Sequence, residues 1–317
     1  MKLITPMDFR TKITIPPANF TISHDDKLMM MGSCFAENMA ASLLDCGFQV
    51  DMNPFGTVYN PQSLASGIRN LLFRKKYATS DLFFHQGLYH SFSHHSRFSD
   101  ISAENCIENI NRRLEISADF LKSASILVVT YGTSYVYSLK STGETVTNCH
   151  KLPDDHLVRK RLSVADIVDD WSLLIEELKI YNPELKLLFT VSPIRHWKDG
   201  AHENQLSKST LLLAIDELIR KNDFCHYFPS YEIVMDELRD YRFYAEDMLH
   251  PSSVAVDYIG ERFSETFFTS ETQSKVKEWQ SIQKALNHKA FNPDSEEHKE
   301  FLQKTQKRLE NFLKMRS

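Results

Sequence analysis

No stretch of this 317-residue chain approaches the roughly 20 consecutive apolar residues that a bilayer-crossing helix needs. The opening residues, Met1–Arg10, lack the continuous apolar segment and the small-residue cleavage site of a secretory leader. Cysteine is scarce and scattered. Cys34, Cys46, Cys106, Cys149 and Cys225 form an odd set of 5 with no Cys-x-x-Cys spacing, which argues against a disulfide framework and a structural zinc site. Basic blocks are also missing, since Arg159-Lys160-Arg161 is short and reads as the approach to a helix. With a net charge of −5, neither nucleic acid nor another polyanion is an expected partner. There is no internal repeat and no low-complexity segment. These absences predict a reduced, cytoplasmic protein with no membrane contact, no metal and no cofactor, acting on a small molecule.

The rest of the composition is ordinary for a folded protein, with 42% hydrophobic and 25% charged residues, and the length allows a sizeable core. Five apolar runs are continuous rather than alternating, the pattern of strands covered on both faces: 28–31, 48–51, 125–131, 185–191 and, more weakly, 224–228. Helical spacing fills the intervals at 36–45, 61–73, 103–122, 164–181 and 204–221. Gly47 suits the cap after the first of these helices. Alternation of strand and helix predicts a doubly wound α/β fold with right-handed crossovers, whose sites lie past the carboxyl ends of the strands. Ser33, Gly56, Gly132 and Arg195 all fall there.

Two stretches interrupt the alternation. Residues 81–98 are rich in His and aromatics and read as an insertion that walls a substrate pocket. Residues 135–150 read as a hairpin above the third strand, turning at Ser141-Thr142-Gly143. The core is expected to span 1–270. Residues 271–317 then form a charged helical appendage, with helices at 274–289 and 296–314 around Asn292-Pro293-Asp294. This appendage can pack on the core or on a second copy of the chain.

The chemistry concentrates in two short motifs. Gly32-Ser33 follows the first strand, so the glycine allows a sharp turn and the serine begins a helix, where free N–H groups can hold an oxyanion. Alone, such a serine is equally an ordinary helix cap. Asp247-x-x-His250 brings an acid and a base onto one side of a turn, with Pro251 suited to open a following helix. Together and in this order they predict nucleophilic acyl transfer, with Ser33 attacking, His250 as base and Asp247 orienting it. Cys34 reads as a small buried hydrophobe. Arg195 and His196, after the fourth strand, either bind an anionic group of a substrate or anchor the loop. The His90-x-x-x-His94 spacing suits a metal on a helix, but its aromatic neighbours favour a packed loop.

Residues 32–36, Gly-Ser-Cys-Phe-Ala, carry the signature of the bacterial GSCFA family, which is in turn similar to the SGNH, or GDSL-like, esterases. Asn53–Pro61, Tyr131–Ser134, Asn148–Lys151 and Ser192–His196 resemble further motifs of that family. The resemblance covers about 20–265. It implies a flavodoxin-like, five-stranded parallel sheet of the SGNH type and a serine esterase that removes an acyl group, such as acetyl, from a carbohydrate or small metabolite. An O-acyltransferase using the same triad, or a degenerate binding module, are the alternatives. It further implies an oxyanion hole built from the N–H groups of Ser33 and Gly56. Ser134 stands where such enzymes carry an asparagine.

Overall fold

The computed structural model describes residues 10–288 and 295–314. Strand β1 (Lys27–Gly32) leads into helix α1 (Cys34–Asp45), β2 (Gln49–Met52) and α2 (Pro61–Leu72). A hairpin of β3 (Leu82–His85) and β4 (Leu88–Ser91) precedes α3 (Ala103–Lys122) and β5 (Ile126–Tyr131). Next come β6 (Tyr135–Leu139), β7 (Thr145–Val146), β8 (Leu157–Arg161) and α4 (Val164–Tyr181). The α/β unit ends with β9 (Lys186–Val191), α5 (Gly200–Lys221), β10 (Cys225–Phe228) and the single turn α6 (Ser230–Glu232). Helices α7 (Ser253–Phe267), α8 (Ser270–Leu286) and α9 (Glu296–Lys314) follow. The expected helix end at Lys289 and the Asn292-Pro293-Asp294 linker lie outside the described residues.

The central sheet has 5 strands in the order β2-β1-β5-β9-β10, all parallel. This is a doubly wound, flavodoxin-like α/β fold. The chain winds from β1 outward to β2, then returns past β1 to β5. The strand order reverses there, and the crevice opens at the carboxyl ends of β1 and β5.

Alternate residues of each strand serve opposite cores. Met29, Met31, Leu127 and Val129 pack toward Leu64, Ile110, Trp171 and Leu211 of α2–α5. Leu28, Met30, Ile126 and Val128 pack toward Met39 of α1 and Ile259 of α7. Burial on both faces is why these strands read as unbroken apolar runs.

Helices α8 and α9 dock on the core at the end away from the crevice. A Cβ on Gly47, just past α1, would lie 2.8 Å from the Trp279 ring, and Gln280 Nε2 donates to Cys46 Sγ at 3.6 Å. Phe312 sits 5.0 Å from the Trp279 ring and 5.5 Å from the His24 ring, which precedes β1. Among the described residues no helix is long and apolar enough to cross a membrane.

Candidate active site

The turn after β1 is held from three sides. Gly32 has φ +147°, and a Cβ there would come within 2.7 Å of Thr130 Cβ and closer still to the Thr130 carbonyl oxygen, so glycine is required. Its N–H donates to Asn53 Oδ1 at 2.8 Å, and its carbonyl accepts the Val58 N–H at 2.9 Å. Ser33 is the N-cap of α1 in extended conformation, yet its side chain makes no capping hydrogen bond. Its hydroxyl is buried and has no hydrogen-bond partner among the described residues. An ordinary cap serine bonds an N–H of the first turn, and a buried unsatisfied hydroxyl is costly. Ser33 therefore does not act as a cap. Nor does it hydrogen-bond the His250 side chain.

Residues 245–252 form an exposed loop that Met248 enters at φ +60°. Asp247 Oδ1 accepts the N–H groups of Leu249 and His250, both at 2.9 Å, while Oδ2 lies 2.5 Å from His250 Nδ1. The two backbone donors, and then the imidazole, hold the Asp247 carboxyl down to about 2. His250 Nε2 is left as the reactive nitrogen. Pro251 does not open the following helix. It bridges to Tyr244, and α7 begins at Ser253 with Ser252 as its cap, because the Ser252 hydroxyl accepts the Ala255 N–H.

Ser33 and His250 line the same cavity, of about 500 Å³, together with Thr57, Asn148 and His196. The structure separates the expected oxyanion donors. The Gly56 N–H donates to the Asn53 carbonyl at 2.8 Å and is engaged in the turn. A Cβ on Gly56 would overlap His95 Cβ, and φ is +80°, so this glycine serves the turn and its close packing. Thr57, the next residue, lines the cavity, and its N–H has no acceptor among the described residues. Ser134 is fully buried away from the cavity. Its N–H and hydroxyl both donate to Ser207 Oγ of α5, at 2.8 and 3.1 Å. Asn148 is on the cavity wall instead. Its Oδ1 accepts the His150 N–H at 2.8 Å, leaving its amide nitrogen without a partner among the described residues. Sequence reasoning quoted Asn148 only as part of a family motif. Its place on the wall depends on the left-handed backbone of His150 (φ +47°) and Lys151 (φ +59°), which residue spacing does not reveal.

The strand-end loops are pinned together beneath the cavity. Tyr59 carbonyl accepts the N–H groups of Gly132 (2.7 Å) and Thr133 (3.0 Å). Lys208 Nζ of α5, fully buried, donates to the carbonyls of Gly132 (2.7 Å) and Ser192 (2.6 Å). Burial, and then Arg195, pull the Lys208 ammonium down to about 7. His196 is held by its N–H to Asn204 Oδ1 at 2.9 Å, and burial, reinforced by Lys208, brings its imidazole down to about 4. It is thus neutral at pH 7. Burial pushes the Cys34 thiol up, which disfavours a thiolate nucleophile.

Two further expectations need correction. The 81–98 insertion does not line this cavity. It backs the Asn53–Gly56 turn, with His95 N–H donating to Phe55 carbonyl at 2.8 Å and Arg97 donating to Asn53 carbonyl. His94 lies in an aromatic packet beside Phe55, Tyr77 and Phe98, where burial brings it down to about 3. The second insertion is a three-stranded antiparallel sheet, β7-β6-β8, rather than one hairpin, and it forms a cavity wall. Arg159-Lys160-Arg161 belongs to β8. Arg159 stacks 3.9 Å over the Tyr135 ring and pairs with Asp199 through both terminal nitrogens.

The sequence model of the GSCFA family matches residues 27–263, and that of the GSCFA domain protein, C-terminal domain, matches residues 279–315. A search of curated protein sequences finds no match. Similar solved structures include a family 3 carbohydrate esterase of Clostridium thermocellum, 10% identical, covering 80% of this chain and 97% of that one at TM-score 0.36. Another is a family 3 carbohydrate esterase of Talaromyces cellulolyticus, 9% identical, covering 80% and 98% at TM-score 0.34. A third is an acetyl xylan esterase of Butyrivibrio proteoclasticus, 10% identical, covering 77% and 64% at TM-score 0.37.

Proposed function

The chain belongs to the GSCFA family, and from that premise we propose that it is a serine hydrolase of ester bonds, removing a short acyl group such as acetyl from a carbohydrate or small metabolite. One observation carries this reading. A buried Ser33 hydroxyl without a partner, at the start of α1, opens on the same cavity as His250, whose Nδ1 is fixed by the Asp247 carboxylate.

In the first half-reaction Ser33 Oγ attacks the ester carbonyl while His250 Nε2 takes its proton. The carbonyl oxygen becomes an oxyanion at the start of α1, where first-turn N–H groups lack intrahelical acceptors. Thr57 N–H and the Asn148 amide are the further donors, in place of Gly56 and Ser134. Collapse of the tetrahedral intermediate breaks the bond to the alcohol, which leaves with the proton from His250, and Ser33 carries the acyl group. Water, deprotonated by His250, then attacks the acyl-serine and releases the acid. Asp247 keeps the Nδ1 proton in place and offsets the imidazolium charge throughout. The side chains of His250 and Asp247 are 48% and 47% exposed, so water reaches the base, which favours hydrolysis over transfer to a second alcohol.

Short-chain nitrophenyl esters test this directly. The wild type is expected to release nitrophenol with acid production in equal amount, and Ser33→Ala to release none above background. Equal turnover by the two proteins overturns the reading.

A further inference from the structure

Three guanidinium groups line the reaction cavity and its neighbour, and only Arg195 has neither an ion pair nor a hydrogen bond among the described residues. Arg159 is paired with Asp199, and Arg239 with Asp236 at 2.9 Å. Arg195 Nε is buried without a partner, and its guanidinium carbon stands 5.3 Å from the centre of the Trp197 ring. An unpaired guanidinium with a buried nitrogen is costly unless something fills its donor fork.

The neighbouring cavity holds about 440 Å³. It shares Arg195 and Trp197 with the reaction cavity and has Asp247 in its wall, so the Asp247–His250 pair stands at the divide between the two spaces. Its other walls carry Tyr241, 72% exposed, and Tyr244, their rings 5.8 Å apart; Trp197 is 51% exposed. Exposed aromatic faces edged by polar groups suit a ring whose faces are C–H and whose rim is hydroxyl. Both carboxylates of this cavity are already engaged. Asp247 is held as described, and Asp240 Oδ1 accepts the Arg242 N–H at 2.9 Å. The donor fork of Arg195 is the group left for a ligand. His196 cannot share the role of charge carrier, because it is neutral at pH 7.

We propose that this second cavity is a subsite for the sugar part of the ester, and that Arg195 there binds an oxyanion, carboxylate or phosphate, carried by that sugar. The inference rests on reading Ser33, Asp247 and His250 as the reacting centre. A planar guanidinium grips either oxyanion through two parallel N–H donors, which an ammonium cannot reproduce.

Calorimetric titration of the full chain with galacturonic acid, galactose 6-phosphate and galactose tests it without turnover. At least one of the two acids is expected to bind about tenfold or more tighter than galactose, as a charge-assisted bidentate pair implies. Arg195→Gln is expected to erase that preference and Arg195→Lys to keep part of it, with the fold retained by circular dichroism, since Arg195 makes no hydrogen bond or ion pair among the described residues and only its contact with the Trp197 ring changes. Which acid binds identifies the oxyanion. Equal binding of acids and galactose, no binding of any of the three, or a preference that survives in Arg195→Gln overturns the proposal. If the acids bind through Arg195 while the nitrophenyl esters are not hydrolysed, the anion subsite stands and the catalytic reading falls. Ester hydrolysis without anion preference gives the reverse.

Discussion

His250 Nδ1 lies 2.5 Å from Asp247 Oδ2, and the other oxygen of that carboxylate accepts two backbone N–H groups of the same loop. One side chain thus shapes the loop and fixes the imidazole.

From this follows a separation of effects for Asp247→Asn. An amide oxygen can still accept the loop N–H groups, but the amide nitrogen presents a proton to Nδ1 and selects the wrong tautomer. Ester kcat is expected to fall about 10³–10⁴-fold, the scale set by such changes in serine triads, while the fold is retained. The native carboxyl, at about 2, is ionised well below the usual range. Because its folded value is depressed, its stabilisation of the loop is present above about pH 4 and is lost only as pH falls toward about 2. A carbon-13 titration of the Asp247 carboxyl should show a midpoint of about 2.

The oxyanion assignment distinguishes two residues that sequence alone does not rank this way. Asn148→Asp, which keeps an acceptor for the His150 N–H but removes the amide donor, is expected to lower kcat by about 10²-fold or more, as loss of one donor does, with little change in stability. Ser134→Ala removes a hydroxyl bonded to Ser207 in the core and should act on stability, by about 1 kcal/mol. Paired kinetic and urea-unfolding measurements decide the matter. The reverse pattern would return Ser134 to the site.

Docking of α8 and α9 away from the crevice makes them a support for the core, not a lid. Trp279→Ala, which empties the contact over Gly47, should cost about 1–3 kcal/mol of stability. The rate of active-site labelling should remain that of the wild type. A changed labelling rate at unchanged stability would show that these helices act on the site.

How much of this was legible in the sequence depends on how each element is buried. The sheet could be read because its strands bury both faces, so β1, β5 and β9 print continuous apolar runs. Strand β8 could not, because Leu157-Val158-Arg159-Lys160-Arg161 is largely solvent-facing and its function lies in Arg159 crossing to Asp199. The 81–98 insertion misled for a related reason. Its His and aromatic side chains pack against the Asn53–Gly56 turn, and a packed aromatic has the same composition as a ligand-facing one. Ser33 and the Asp247–His250 pair were readable as local motifs. The engagement of Gly56 N–H and of Ser134 depends on contacts with residues distant in the chain or on turn geometry, which spacing does not encode. Pro251 looked like a helix opener, but Ser252 supplies the cap, and α7 starts two residues later, at Ser253.

The most direct measurement is intact-mass labelling with a fluorophosphonate probe on the wild type and on Ser33→Ala. The account predicts a single adduct on the wild type, localised to Ser33 by peptide mapping, and none on the variant. An adduct that persists in Ser33→Ala, or a folded wild type that takes up no probe, contradicts it.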